Sequence, residues 1–534
     1  MPHKDDQTFK RGRYGRTDFL AFSDKYTNLM RIAPLQSYMD ESLAEVSRLR
    51  IERYRKNWNF YLGKQYNNEW VDGEKKIVLN FCQPVIDKSA AFLMMNLWSH
   101  VAPKGNEGLI APVNYVWDVQ NSWEILAQEM ALMGGITGDC FFQVTYEEIS
   151  EDWPNGRVRL IPLNSSYVHP IFDPLDKDKK IATLIQFPIT IQEWDEQGNP
   201  KSVTRNVTYS QYITPDYISV YHDSTLIKRE VNLLRRINVV HIKNMVVPGA
   251  AYGMADIDGA HSIQEEINSR AHDMGQIINY HATPTTCIFG AKLAQIEKGA
   301  NKVWTFPKDA KVENLALQGD LAASMAFLER LKTTFHEFTK VPKHALGGEP
   351  VPISNTSGVA LHIQYMPLME KTHMKQNTYG AGIMQINELI LRWLELKNPD
   401  LKITEESPTI KETMAAIKDN VNKYRVEVKW PFPLPKDELI HMQLLAQKLE
   451  AGLESHAGAL KELGVEYIED KMGEIADDKI AFAQLDTLAG MFGAGGDDNL
   501  PPEPPPEPPP SETNIGGIIP GQEKYPEGKK KPSA

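Results

Sequence analysis

One helical segment constrains this chain more than any other feature. From Gly358 to Leu396, roughly 39 residues run without a strong break, which at 1.5 Å per residue makes a helix about 58 Å long. Ser354 or Ser357 is placed to cap its start. Pro367 should kink it, and Gly380 and Gly382 should loosen it. The rest of the fold has to be arranged around a rod of that length.

What precedes the rod falls into distinct stretches. Leu43, Val46, Leu49 and Tyr54 recur at helical spacing over 41–62, with cations between them. KIVLNF (76–81) reads as a strand, and Pro84 to Trp98 as an apolar helix. A further helix over Trp123–Met133 is expected to close at Gly134-Gly135. From Cys140 to His241 the pattern turns to β: CFFQVTY, GRVRLIPL, ATLIQFPITI, SVTRNVTY, YISVYHD and INVVHIKN are β-branched and aromatic runs separated by turn residues.

Ile263, Ile267, Ala271, Met274 and Ile278 then form one helical face, which Pro284 stops. Short strand-like pieces, TTCIFG and KVWTFP, lie within 285–319. A second helix starts near Asp320 with Leu321, Met325, Leu328, Leu331, Phe335 and Phe338 on its stripe, and ends before Pro342. The loop PKHALGGEPVPISNTSG leads into the long helix. After it come the strand YRVEVKW (424–430) and helices over 436–452, 457–463 and 465–491. PPEPPPEPPP at 501–510 marks an extended or disordered tail.

Composition narrows the function classes. With 534 residues, 42% hydrophobic and 24% charged, the chain suits a multidomain globular protein of α+β class. The longest apolar run, around Ala90–Trp98, is half a bilayer span, and the charged N-terminus lacks the apolar core of a secretory signal. A soluble protein made in the cytoplasm is expected, with no membrane partner. Cys82, Cys140 and Cys287 are too scattered for a disulfide scaffold or a zinc cluster. The formal charge of −12 is uneven: 14 acidic and 5 basic residues between Lys436 and Asp498 account for −9 of it, leaving −3 elsewhere. That balance argues against a tight grip on nucleic acid, although it suits a protein that lets DNA slide past.

Catalytic and cofactor signatures are missing. No P-loop, dinucleotide-binding glycine motif or nucleophile elbow occurs. His336-Glu337 lacks the second histidine of a zinc protease, and His336 is assigned to a helix flank. Asp173, Asp176 and Asp178 alternate with lysines in what reads as a solvated turn, and Asp256 and Asp258 read as helix-cap carboxylates. No cofactor and no catalytic or metal-binding residue is expected. The chain reads as non-enzymatic.

The order of pieces and four local patterns resemble the portal proteins of tailed double-stranded DNA bacteriophages. The patterns are NWNFYLGKQYN (57–67) followed by VLNFCQPVIDKSAAFL (78–93); VVHIKNMVVPGAAYGMADIDGAHSIQEEIN (239–268), with Gly253-Met254-Ala255-Asp256 where the family shows Gly-x-Ser-Asp; SNTSGVALHIQYMPLMEKT (354–372); and VEVKWPFPLPKDELI (426–440). The resemblance spans about 45–480.

It implies a portal-type fold: an N-terminal arm (1–45), a wing (46–250, β-rich over 140–245), a first stem helix (251–282) and a clip (283–319). A second stem helix (320–341), a tunnel loop (342–357), the spine helix (358–397), a wing return strand (398–435), crown helices (436–492) and a Pro-rich tail (493–534) follow.

It also implies a ring, usually of twelve copies, at one capsid vertex of the virion, assembled in the host cytoplasm. Double-stranded DNA would pass through it in packaging and ejection. Terminase, head-completion or adaptor proteins, and major capsid and scaffolding proteins would be its partners. On that resemblance Lys340, Lys343, His344, Gly347, Gly348, Pro350, Pro352, Ser354 and Asn355 would line the channel. Cys287, Phe289, Val303, Trp304 and Phe306 would form a clip interface, with Cys287–Phe289 and Val303–Phe306 pairing with a neighbouring subunit. Two other classes also lack catalytic motifs or use carboxylates: another head–tail or baseplate component, and a nuclease using Asp173, Asp176 and Asp178 with Mg²⁺.

Overall fold

The computed structural model describes residues 41–65, 70–71, 74–75, 77–194, 200–282, 285–289, 311–315, 321–347, 358–417, 423–431, 438–463 and 471–480. The chain divides into two compact units, Met1–Pro435 and Lys436–Ala534. The fold mixes helix and sheet, as the α+β reading expects.

In the first unit, helix α1 (Glu41–Tyr61) leads to α2 (Cys82–Met94), α3 (Ile110–Asp118) and α4 (Trp123–Thr137). Strand β1 (Asp139–Glu147) is central to a three-stranded antiparallel sheet, between β2 (Arg157–Leu163) and the later β8 (Val239–Lys243). Strands β3 (Val168–Asp173), β4 (Asp176–Trp194), β5 (Pro200–Ile213), β6 (Tyr217–His222) and β7 (Thr225–Val231) form an antiparallel meander, paired in sequence order. Helix α5 (His261–Ala282), the paired strands β9 (Thr285–Phe289) and β10 (Lys311–Leu315), and α6 (Leu321–Thr339) come next. The long helix α7 (Gly358–Lys397) spans 40 residues and continues through Pro367. The second unit contains helices Glu438–Glu450 and His456–Glu462, with 471–480 also helical.

Several elements depart from the sequence expectations for identifiable reasons. KIVLNF forms no strand over 77–81. Its peptide groups are met by side chains of α5: Leu79 N–H donates to Asn268 (2.9 Å), Phe81 N–H to Gln264 (3.2 Å), and Gln264 donates back to the Leu79 carbonyl (2.6 Å). Two amide side chains thus replace a neighbouring strand.

The glycines that were expected to stop or loosen helices pack them instead. Helix α4 runs through Gly134-Gly135 and ends at Gly138, whose φ of +90° suits a left-handed cap. A Cβ at Gly134 would run into the Tyr379 hydroxyl, and one at Gly382 into Ile242. Gly382 therefore lets α7 lie directly on β8. Helix α5, expected as a first stem helix from 251, starts at His261, because residues 253–260 are used in turns and buried polar contacts.

Two larger apolar cores, beside two small ones among the strands, hold the described residues of the unit together. One gathers Trp98, Trp117 and Phe142 with Tyr379, Ile386, Ile390 and Leu394 of α7. The other joins Phe60, Ile86, Ile267, Phe335, Val341 and Leu368, which come from α1, α2, α5, α6 with its following turn, and α7. The second lies where the two stem-like helices meet the long one.

Candidate functional site

The loop expected to face a channel begins at the end of α6. Lys340 is exposed and adopts φ +58°, a left-handed turn that a non-glycine residue rarely takes. His336 Nδ1 lies 2.9 Å from the Val341 carbonyl, and Thr339 Oγ1 donates to the Phe335 carbonyl at 2.9 Å. These contacts fix the last turn. A 3₁₀ turn over Lys343–Leu346 follows, with Gly347 at φ +76°. Lys343 Nζ stands 3.7 Å from Glu329, so its charge is partly matched inside the chain, and His344 is half-buried beside it. Gly348, Pro350, Pro352, Ser354 and Asn355 lie outside the described residues. In the clip-like insertion, Cys287 is half-buried and Phe289 is 58% exposed on β9. Val303, Trp304 and Phe306 lie outside the described residues, and the strand that pairs with β9 in the same chain is β10.

The turn is anchored by a buried ion cluster that the sequence reading missed. Asp256 is fully enclosed and meets Lys375 Nζ at 2.7 Å and Lys371 Nζ at 3.4 Å. Lys371 also donates to the carbonyl of Thr339 (3.0 Å), the residue just before Lys340. Lys375 donates to Ser89 of α2 (2.9 Å), and Asn244 Nδ2 to Asp256 (3.1 Å). One carboxylate therefore ties together α2, the segment after β8, the end of α6 and α7.

Burial would raise the Asp256 carboxyl, but the two ammonium groups outweigh it and bring it down to about 2. Burial pulls Lys375 down to about 8 despite its carboxylate partner, and lowers Lys371 in the same direction. The helix-cap reading of Asp256 is thereby corrected: this carboxylate neutralises buried cations. Asp258 accepts Ala255 N–H (2.7 Å) within its own turn and Asn57 Nδ2 (2.9 Å) from α1.

A second buried carboxylate stands on the other side of the same loop. Asp139 accepts hydrogen bonds from Tyr54 (2.5 Å) and from Gly253 N–H (2.7 Å), and lies 2.7 Å from His241 Nε2 and 3.3 Å from Arg53. Burial opposes its ionisation, yet these donors hold it below the usual carboxylate range. A Cβ at Gly253 would strike the Gly138 carbonyl, so this position needs glycine. Arg50, also enclosed, donates to the Ser165 (3.1 Å) and Val168 (2.9 Å) carbonyls. Gly253-Met254-Ala255-Asp256 thus runs between two buried carboxylate clusters, and Ala255, where the portal pattern has serine, is itself buried.

The acidic triplet lies at the turn between β3 and β4. Asp173 pairs with Lys179 (2.9 Å) and Asp178 with Lys243 (3.1 Å), and no metal-binding group of carboxylates, histidines or cysteines occurs among the described residues. Nor, among those residues, is any helix long and apolar enough to cross a membrane.

A search of curated proteins finds no match. A family model described as "Phage portal protein, SPP1 Gp6-like" matches residues 40–483, from the start of α1 through the described part of the C-terminal unit. With most of its length matched, and with the helix–insertion–helix–loop–long helix order in place, the chain belongs to the phage portal protein family.

Proposed function

We propose that copies of this chain assemble into a ring at one vertex of a phage capsid, and that double-stranded DNA passes through the ring during packaging and ejection. The observation that carries this reading is the anchored turn. The segment that would reach the channel leaves α6 at Lys340 and returns at Gly358, and its first residues hang from Lys371 and Asp256 at the long helix. A constriction that DNA moves through needs a loop on a fixed support, and a buried ion cluster supplies one. No nucleotide-binding motif occurs in the sequence, so the work of translocation falls to a separate motor, the terminase. The β9/β10 insertion is the surface for that motor and later for head-completion or adaptor proteins. Capsid and scaffolding proteins contact the outer wing.

Negative-stain microscopy of the purified protein tests this. Closed rings of about twelve subunits with a central hole are expected, since head-to-tail contacts that close give cyclic symmetry. A monodisperse monomer, both alone and with scaffolding protein, refutes it.

A further inference from the structure

The flanks of α7 carry opposite charge. On one flank a groove of about 380 Å³ is lined by Lys180, Arg235, Arg236 and Glu388, over an apolar floor that includes Leu389. A second cavity of about 590 Å³ shares Arg236 and Glu388 and extends past Arg392 and Arg425. The internal carboxylates do not balance these five cations. Glu388 serves both Arg236 (3.5 Å) and Arg392 (2.9 Å), Asp216 meets Arg235 (3.4 Å), and Glu427 meets Arg425 (2.7 Å). Lys180 Nζ bonds only the Val239 carbonyl (2.7 Å) and has no carboxylate partner among the described residues. Desolvation brings it down to about 8.

On the opposite flank, the last residue of β1 and the loop after it read Glu147-Glu148-Ile149-Ser150-Glu151-Asp152. Glu148 pairs with Lys397 at 2.9 Å and Glu147 with Arg157. Glu151 and Asp152 are exposed and pair with no cation among the described residues, and Ile149 near them is 73% exposed. Lys397 is nine residues beyond Glu388, about 180° round the helix, and only five beyond Arg392, about 7.5 Å along it. The two surfaces therefore face away from each other, with their α7 residues Glu388 and Lys397 about 13.5 Å apart along the helix.

We propose that the acidic loop 147–152 of one copy docks in the cationic groove at Arg235, Arg236 and Lys180 of the next, with Ile149 against its apolar floor. The proposal rests on the ring reading above. A ring contact is head-to-tail and joins two different patches on opposite sides of the protomer. An acidic knob with an apolar tip and a cationic groove with an apolar floor satisfy that requirement by charge and by shape.

Charge reversal tests the contact on the full-length chain, with ring fraction read by sedimentation velocity at about 100 mM salt, where exposed charges interact over about 10 Å. E151K/D152K and R235E/R236E should each lower the ring fraction at least about fivefold, with far-UV circular dichroism unchanged. The four changes together should restore it to within about twofold of wild type, because the pairing is re-formed with its signs exchanged. Cysteine pairing reports the contact directly. A mixture of E151C chains and R235C chains should give cross-linked dimers under mild oxidation, and neither alone should do so. Wild-type protein that assembles while both reversals assemble equally well, or cross-links confined to like variants, overturns the contact and leaves the ring standing. Wild-type protein that assembles neither alone nor with scaffolding protein overturns the ring reading itself.

Discussion

Replacing Asp256 by asparagine should be the most damaging single change at the anchored turn, and its cost follows from charge counting. The wild-type cluster holds one carboxylate and two ammonium groups, all buried, so it already carries a net positive charge. Lys375 shows the strain: its descent from 10.5 to about 8 corresponds to about 3 kcal/mol against the charged form, even with Asp256 2.7 Å away. Removing the carboxylate leaves two neighbouring buried cations, and breaking a buried pair in this way costs about 3–5 kcal/mol.

The same counting makes Lys375→Met much milder, about 1–2 kcal/mol, because Asp256 and Lys371 remain as a neutral pair. Introduced into D256N, K375M should recover part of the loss. Urea unfolding followed by tryptophan fluorescence measures all three. The pH dependence adds a sign. The folded state binds the Lys375 proton less tightly than the unfolded chain, so its penalty is full below about 8 and fades as pH rises toward 10.5. Asp256 behaves oppositely, with a contribution present above 3.8 and lost as pH falls toward 2. If D256N unfolds within about 1 kcal/mol of wild type, or K375M costs as much as D256N, the charge argument is wrong.

Other regions give smaller, separable effects. His100 is buried, accepts the Trp98 indole N–H (3.0 Å) and is held down to about 4 by desolvation. The unfolded chain takes this proton near 6.5, so stability should fall by up to about 3 kcal/mol between pH 6.5 and 4, and His100→Gln should flatten that slope in urea titrations. Lys340→Gly should raise the unfolding midpoint by up to about 1 kcal/mol equivalent, because glycine takes φ +58° without steric cost. Gly382→Ala should cost about 1–3 kcal/mol by pushing α7 off Ile242, seen as a lower thermal midpoint with unchanged helicity.

Much of the element order was legible because it rests on periodicity and punctuation. The 3.6-residue stripe of α5, the β-branched runs of the meander and the Pro-terminated α6 all act locally. The anchored turn was not legible for the opposite reason. Lys371 and Lys375 look like any surface i, i+4 pair, and only Leu368 and Tyr379 on the same stripe hint that they are buried. Asp256 meets them across more than a hundred residues, a distance no local pattern spans. Gly134 and Gly382 misled in a related way: helix propensity marks glycine as a weak point, while close packing against Tyr379 and Ile242 requires it. KIVLNF had strand composition, but its hydrogen-bond partners turned out to be side chains of a helix more than 180 residues away.

The fate of the cations near the loop bears on how a conduit for DNA could work. Lys371 and Lys375 are committed to Asp256, and Lys343 is drawn to Glu329. Lys340 is exposed and forms no ion pair among the described residues. A subunit built this way offers phosphate few free charges where the channel would be narrowest, and each exposed contact is screened within about 10 Å at 0.1 M salt. Affinity for DNA rises with the number of phosphates neutralised, so committing lysines to internal carboxylates lowers the grip while keeping the support rigid. A motor pushing DNA through such a ring would work against weak, exchanging contacts, and the chain's negative total then reads as a condition for sliding.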